Sequence, residues 1–161
     1  MRDLNELGLI AVNGTSLLAP TESQLVLVEH LIGVDLPVSY IEFLKFSNGG
    51  YPEVNTFEQE IDEGIYPWTV NLFLSIASNS ISTDDPKDVI WNYHHRWPYA
   101  SRELLPIAND SGGNLFCLDL SQEGKGRVVI QVHDEEGFPL IELAESFETF
   151  INSLVMDRDD F

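Results

Sequence analysis

The amino-acid sequence predicts an α+β fold, a single domain in which helices pack on an antiparallel β-sheet meander. Short alternating runs separated by turn residues fill the C-terminal third, and connections of this length join neighbouring antiparallel strands. Helical periodicities occur before, among and after these runs. A chain of 161 residues has the usual size of one domain. We therefore expect one domain over residues 1–161, with a poorly defined segment at 1–20 and a frayed tail at 157–161.

Capping residues predict where the helices begin and end. Thr21 and Gln24 form a capping-box pattern, apolar residues at helical spacing follow, and Gly33 closes this first helix. Ser146 is expected to cap the last helix, whose apolar stripe begins at Phe147. Two further helices are predicted between them, one from Pro37 to residues 48–50 and one from residues 84–86 to Pro98.

Alternation of apolar and polar side chains predicts the strands. They are expected at residues 70–76, 104–108, 115–120, 127–133 and 140–143. Residues 9–12 are compatible with a short strand that ends at Asn13 and Gly14. Residues 51–66 show no periodicity and contain five acidic residues and no basic residue, so they are interpreted as a long acidic loop.

The charge of the chain excludes some classes of function. Only 8 Lys and Arg residues accompany 27 Asp and Glu residues, which gives a formal net charge of −19. A nucleic-acid-binding surface needs a basic footprint, and anionic membranes attract basic segments, so neither partner is expected. The sequence shows no signal peptide and no apolar run of membrane-spanning length, so a cytoplasmic protein is expected.

No arrangement of residues predicts a catalytic or metal site. His94 and His95 are adjacent, so on a helix they point about 100° apart and do not clamp one metal ion. Cys117 is the only cysteine and stands in an apolar run, which indicates a buried residue and not a nucleophile. A small hydrolase would have to use Asp110, Asp119 or His133, which turn and strand-end roles explain better. We expect no enzyme activity, no cofactor and no bound metal.

Acidic residues beside aromatic residues form the strongest candidate for a binding surface. Aromatic residues are enriched at interface hot spots, and unpaired acids favour a basic partner. The residues of the predicted acidic loop and its flank are Glu53, Glu58, Glu60, Asp62, Glu63, Tyr66 and Trp68. A second acidic cluster consists of Asp134, Glu135 and Glu136 at a predicted turn. A solubilising role is the alternative for both groups.

Three groups of residues resemble the signature of a known family. They are Leu36-Pro37, Tyr40, Phe43-Leu44 and Asn48-Gly49-Gly50; Leu105-Pro106-Ile107-Ala108, Asp110, Gly112-Gly113-Asn114, Cys117 and Asp119; and Ala144, Ser146-Phe147 and Phe150-Ile151. In this order, over roughly residues 21–155, they resemble the SUKH superfamily, which includes fungal cell-wall-synthesis regulators and many bacterial immunity proteins.

The resemblance implies an α+β fold and a non-enzymatic binding role. Bacterial members are thought to protect the producing cell by binding toxins, which are often nucleases. A nuclease has a basic active site, and an acidic inhibitor matches that field and associates rapidly. We therefore expect an immunity-type protein that binds a basic toxin domain. The alternative is a scaffold or regulatory interaction module without a toxin partner, as in the fungal members.

Overall fold

The computed structural model describes residues 1–12, 18–96 and 100–160, the last residue by its backbone alone. Within this part of the chain there are four α-helices and eight β-strands. The helices are α1 (Glu22–Ile32), α2 (Val38–Phe46), α3 (Val89–His95) and α4 (Phe147–Ser153). The strands are β1 (Val54–Ile61), β2 (Gly64–Thr69), β3 (Leu72–Phe73), β4 (Leu104–Asn109), β5 (Leu115–Asp119), β6 (Arg127–Gln131), β7 (Leu140–Ala144) and β8 (Val155–Met156). The mixture confirms the predicted α+β class.

The larger sheet has five strands in the order β3-β4-β5-β6-β7 and is the predicted meander. All its neighbouring strands are antiparallel and consecutive in the chain. The strand predicted at residues 70–76 is shorter than expected, because only Leu72 and Phe73 pair with β4. On either side of this pair, the Asn71 N–H donates to the Asn109 carbonyl at 2.8 Å and the Leu74 N–H donates to the Ile107 carbonyl at 2.9 Å. Phe73 also bridges to Gly50, and Ser75 bridges to Asp88.

A second sheet, in the order β2-β1-β8, corrects the prediction of a long acidic loop. Ile61 lies opposite Gly64, so β1 and β2 form a hairpin that turns through two residues. β2 is a free edge of this sheet and contains Pro67. The Val70 N–H donates to the Asn55 carbonyl at 2.7 Å, so residues 70 and 55 form a hydrogen-bonded pair that continues the pairing of the two strands. Such pairs alternate with pairs that are not hydrogen-bonded, and Pro67, opposite Glu58, belongs to one of the latter. An N–H at residue 67 would therefore face away from β1. Proline is tolerated at such an edge position.

The predicted helix caps are confirmed at α1 and α4 and corrected at α2 and α3. α2 begins directly after Pro37, but it ends at Phe46 with Ser47 as its C-cap, before residues 48–50. Thr21 and Gln24 form the complete capping box of α1, Gly33 ends that helix with φ 82°, and Ser146 caps α4. The predicted start of α3 at residues 84–86 is wrong. Asp88 is its N-cap, with Oδ1 accepting from the Ile90 N–H at 2.7 Å. The predicted ends at Pro98 and at Asn13 and Gly14 lie outside the described residues.

α4 joins the two sheets through its aromatic side chains. The Phe150 ring stacks on Phe57 of β1 with centroids 5.5 Å apart and lies 5.7 Å from Phe116 of β5. Phe147 meets Tyr40 of α2 edge-on at 5.2 Å. All five rings are buried, so this helix connects the hairpin, α2 and the meander in one core.

Candidate partner-binding surface

The β1–β2 hairpin carries most of the predicted binding residues, and its register divides them between two faces. Side chains alternate along a strand, and directly opposed residues share a face. The first face, here the acidic face, carries Glu58, Glu60, Ile65 and Pro67. The second face, here the aromatic face, carries Phe57, Gln59, Tyr66 and Trp68. Acids and aromatic residues that are neighbours in sequence are therefore on opposite sides of the hairpin.

The acidic face is one wall of a groove of about 220 Å³, and the C-terminal tail is the other wall. The tail contributes Asp157 and Asp159, which were not predicted as binding residues from the sequence. Arg158 donates to Glu58 from Nε at 2.8 Å and from Nη2 at 3.2 Å, but the Arg158 side chain is 73% exposed. Ile65 and Pro67 add apolar surface. The groove thus combines carboxylates with apolar atoms, which suits a basic side chain with its alkyl stem.

The hairpin tip extends the acidic face into solvent. Glu60, Asp62 and Glu63 are all exposed, and the last two are the turn residues themselves. Glu53 lies apart from them, next to the N-terminal segment, where its backbone N–H donates to the Leu7 carbonyl at 2.9 Å. The structure therefore brings four of the five predicted acids onto one projection and leaves Glu53 at its base.

The aromatic face runs from the core to the hairpin tip. Trp68 is half-buried and donates from Nε1 to Gln59 Oε1 at 2.9 Å. Its ring is 4.5 Å from that of Tyr66, which is 46% exposed. Trp68 is therefore held as an extension of the core, and Tyr66 is the more available of the two predicted anchors.

The second acidic cluster belongs to a different part of the molecule. Asp134, Glu135 and Glu136 are exposed in the connection between β6 and β7 of the larger sheet. The Glu135 carbonyl accepts from the Phe138 N–H at 3.1 Å, which closes a turn. These three acids are matched in number and exposure to those at the hairpin tip, but none of them lines the groove beside the hairpin.

The carboxylates considered for a hydrolase do not form a pair. Asp110 and Asp119 lie at opposite ends of β5, separated by roughly 14 Å of strand. Asp110 closes a turn by accepting from the backbone of Asn114 at 2.8 Å, and Asn114 Oδ1 accepts from His133 Nδ1 at 2.8 Å. Arg127 donates to Asp119 at 2.9 and 3.0 Å. Their observed contacts stabilise turns and the sheet end.

Cys117 is buried as expected, and the rings of His94 and His95 each contact a different backbone carbonyl. Burial raises the pKa of the Cys117 thiol, which disfavours the nucleophilic thiolate. His94 Nε2 lies 2.7 Å from the Ile81 carbonyl, and His95 Nδ1 lies 2.8 Å from the Trp91 carbonyl. In the described part of the chain, no three His, Cys, Asp or Glu residues are grouped so that they could hold a metal ion. Every helix there is too short or too polar to cross a membrane.

The Asn48-Gly49-Gly50 segment of the proposed signature has a structural role. Asn48 is buried, and its amide donates to the Ile76 carbonyl at 2.9 Å and accepts from the Ile76 N–H at 2.8 Å. Gly49 has φ 86°, and a Cβ there would lie 2.6 Å from the Phe73 carbonyl oxygen. The segment thus follows α2 and pairs with the edge strand β3 through Gly50 and Phe73, although it is not itself a strand.

Comparison with known families agrees with this geometry. The sequence model of the SMI1 / KNR4 family (SUKH-1) matches residues 19–153. The chain belongs to this family. Over 154 residues this SUKH-1 protein is 31% identical to the SPbeta prophage-derived uncharacterized protein YokK of Bacillus subtilis (strain 168). The alignment covers 84% of this chain and 74% of YokK.

A solved structure shares the fold of this SUKH-1 protein at low sequence identity. It is a crystal structure of a protein from Pseudomonas syringae pv. tomato, with a TM-score of 0.50 and 16% identity. The match covers 81% of this chain and 83% of the other. At this identity the likeness concerns the fold alone.

Proposed function

We propose that this SUKH-1 protein is a non-enzymatic, cytoplasmic immunity-type protein that binds and neutralises a basic toxin domain of the nuclease class. The observation that carries the proposal is the projecting acidic face with its tip, where Glu60, Asp62 and Glu63 are exposed. In the described residues only one cation, Arg158, forms an ion pair with this surface. A basic nuclease cleft presents the complementary field.

Charge complementarity acts mainly on the rate of association. An acidic projection in a protein with net charge −19 attracts a basic domain before contact, and such steering raises association rates by about 10- to 1,000-fold. Steering weakens with salt, because the Debye length is about 8 Å at 0.15 M and shorter at higher ionic strength. After association, a basic side chain of the partner enters the groove, displaces Arg158 and pairs with Glu58 away from water.

The test uses two triple variants with the same change in charge. Glu60, Asp62 and Glu63 are changed to Lys in one variant, and Asp134, Glu135 and Glu136 are changed to Lys in the matched control. The partner for the test is the variable C-terminal domain of any toxin found to be encoded beside the gene. Stopped-flow association at 0.05 to 0.5 M salt should show that the hairpin variant loses tenfold or more in rate and most of its salt dependence.

The two variants also separate the alternatives. A larger loss in the Asp134, Glu135 and Glu136 variant would move the interface to the larger sheet. If the wild-type protein binds a neighbouring toxin domain but leaves its nuclease activity intact, the neutralising role is wrong. Failure to bind any neighbouring toxin domain, together with capture of a cellular protein by the same hairpin acids, would favour the scaffold role.

A further inference from the structure

A cleft of about 360 Å³ lies on the larger sheet, where the end of α3 meets the sheet. His95 and Arg96 line it from α3 and its C-cap, and Leu115 and Gln131 line it from the paired strands β5 and β6. Gly113, His133 and Phe138 also line it. None of the described residues that line it is Asp or Glu, although the chain contains 27 acidic residues. No residue of the hairpin contributes to it.

Two unpaired buried donors belong to the residues that line this cleft. Among the described residues, three buried side-chain polar atoms lack a hydrogen-bond partner: Tyr40 Oη, Arg96 Nε and Gln131 Nε2. Two of these three are on cleft residues, and Gln131 is only 3% exposed. Buried donors are nearly always paired in folded proteins, so two unpaired donors at one cleft indicate a missing acceptor.

The Arg96 guanidinium is held in place by two of its donors, while its buried Nε–H has no partner. Its Nη2 donates to the Ser101 carbonyl at 2.9 Å, and its Nη1 donates to the Tyr93 carbonyl. The guanidinium carbon lies 3.8 Å from the centre of the Tyr93 ring, which fixes the plane of the group. Of the five N–H groups of the guanidinium, Nε–H is the buried one without a partner. An unpaired donor on a positively charged group favours an anionic acceptor.

The two histidines are fixed in a similar way. His95 Nδ1 donates to the Trp91 carbonyl, and its ring stacks on Trp91 at 3.9 Å. His133 Nδ1 donates to Asn114 Oδ1, an atom that also accepts from the His133 backbone N–H at 3.0 Å. Each ring therefore keeps only Nε2 for a further partner. The polar part of the lining thus consists of pre-positioned groups, of which the charged one is a cation, and Leu115 and Phe138 add apolar surface.

We propose that this cleft binds the oxyanion of a small ligand, a carboxylate or a phosphate, on Arg96 Nε–H and Gln131 Nε2–H. Both nitrogens are buried, so binding includes a small rotation of the side chains at the mouth of the cleft. The volume suits a small metabolite, since ligand pockets begin at about 300 Å³. The site is independent of the hairpin and of the proposed toxin binding.

The experiment is an NMR titration of the ¹⁵N-labelled full chain at pH 7 and constant ionic strength. Inorganic phosphate and acetate are titrated separately, and the Arg96 Nε–H and Gln131 side-chain amide signals are followed. Saturable shifts confined to the cleft with one or both probes support the proposal, and the probe that binds more tightly identifies the ligand class. Shifts that stay linear, or that spread over the whole surface, overturn it.

Matched variants connect these shifts to the two donors. Gln131→Glu places a carboxylate beside Arg96 with almost no change in shape, so it should weaken probe binding at least tenfold. Gln122→Glu makes the same change at an exposed position outside the cleft and should bind like the wild type. Arg96→Gln and Arg102→Gln form a second pair, since Arg102 also donates to a backbone carbonyl but lies elsewhere. Equal effects of Gln131→Glu and Gln122→Glu would overturn the assignment.

Discussion

The two sheets of this protein bury their side chains very differently. In the larger sheet, β5 and β6 are buried at four of five positions each, because one face packs on the main core and the other holds a second small cluster around Cys117. In the hairpin, β2 is exposed at its first four positions and half-buried at the remaining two. The difference indicates that the larger sheet determines stability, whereas the hairpin has a surface left for a partner.

The largest expected effect is the loss of the aromatic contact that joins the two sheets. Phe150→Ala should lower the free energy of unfolding by about 4 kcal/mol, because it removes a buried ring packed between Phe57 and Phe116. Tyr66→Ala, its counterpart on the hairpin, should cost only about 1 kcal/mol, since that ring is 46% exposed. Urea denaturation measures both. Equal losses would contradict the contrast between the sheets.

The same contrast explains how much of the fold the sequence predicts. Meander strands are visible because apolar runs such as residues 115–120 end at glycine-rich turns. The hairpin is missed because Glu58 and Glu60 are interleaved with Phe57, Gln59 and Ile61, so the alternation is weak without knowledge of which side meets Phe150. The available signals were the Asp62-Glu63-Gly64 turn and the β-favouring residues on both sides of it.

The start of α3 depends on contacts that are distant in sequence. Asp84, Asp85 and Asp88 are all acceptable N-caps by residue type. Asp88 is the N-cap in the structure, because its Oδ2 also accepts from the Ala77 and Ser78 N–H groups at 3.1 and 3.2 Å. A local pattern does not contain this information.

Glycine substitutions give the second test of the comparison. Gly49 and Gly64 both have positive φ, at 86° and 131°, so alanine is strained at either position. A Cβ at Gly49 would in addition lie 2.6 Å from the Phe73 carbonyl oxygen, whereas nothing lies within 4 Å of one at Gly64. We expect Gly49→Ala to cost about 3 kcal/mol and Gly64→Ala about 1 kcal/mol. Thermal unfolding with both variants checks this, and a larger loss at Gly64 would show that the hairpin turn stabilises the fold more than the meander edge does.

The candidate sites depend on pairings that sequence spacing does not reveal. Which acids share a face with Tyr66 follows only from the strand register, since a shift of one residue exchanges the two faces. The groove needs Asp157 and Asp159, about 100 residues from Glu58 in the chain. The cleft beside Gln131 likewise combines an α3 terminus with two strands. The hairpin acids were predicted as candidate binding residues from the sequence. Asp157, Asp159, Arg96 and Gln131 were not, because only the fold brings them to the groove and the cleft.

The smallest expected effects come from two ion pairs of similar geometry. Arg127 contacts Asp119 at 2.9 and 3.0 Å in the larger sheet, and Arg158 contacts Glu58 at 2.8 and 3.2 Å beside the hairpin. The Asp119 side chain is only 10% exposed, whereas Arg158 is 73% exposed. At pH 7, Asp119→Asn should therefore cost about 2 kcal/mol and Glu58→Gln less than about 1 kcal/mol. Only the effect of Glu58→Gln should nearly vanish in 0.5 M salt.

The loss of stability in Asp119→Asn should also depend on pH. Burial alone would raise the pKa of Asp119, but hydrogen bonds from the Ser121 hydroxyl and backbone and from Arg127 outweigh it and lower this pKa below its ordinary value of 3.8. A lowered pKa in the folded state contributes stability that is fully present above the unfolded value and is lost as the pH falls through the folded value. The difference in unfolding free energy between wild type and Asp119→Asn should therefore stay constant from pH 7 to about pH 5 and shrink below about pH 4. Urea denaturation at pH 7, 5, 4 and 3 measures it. A difference that stayed constant down to pH 3 would mean that the Asp119 charge does not stabilise the sheet end.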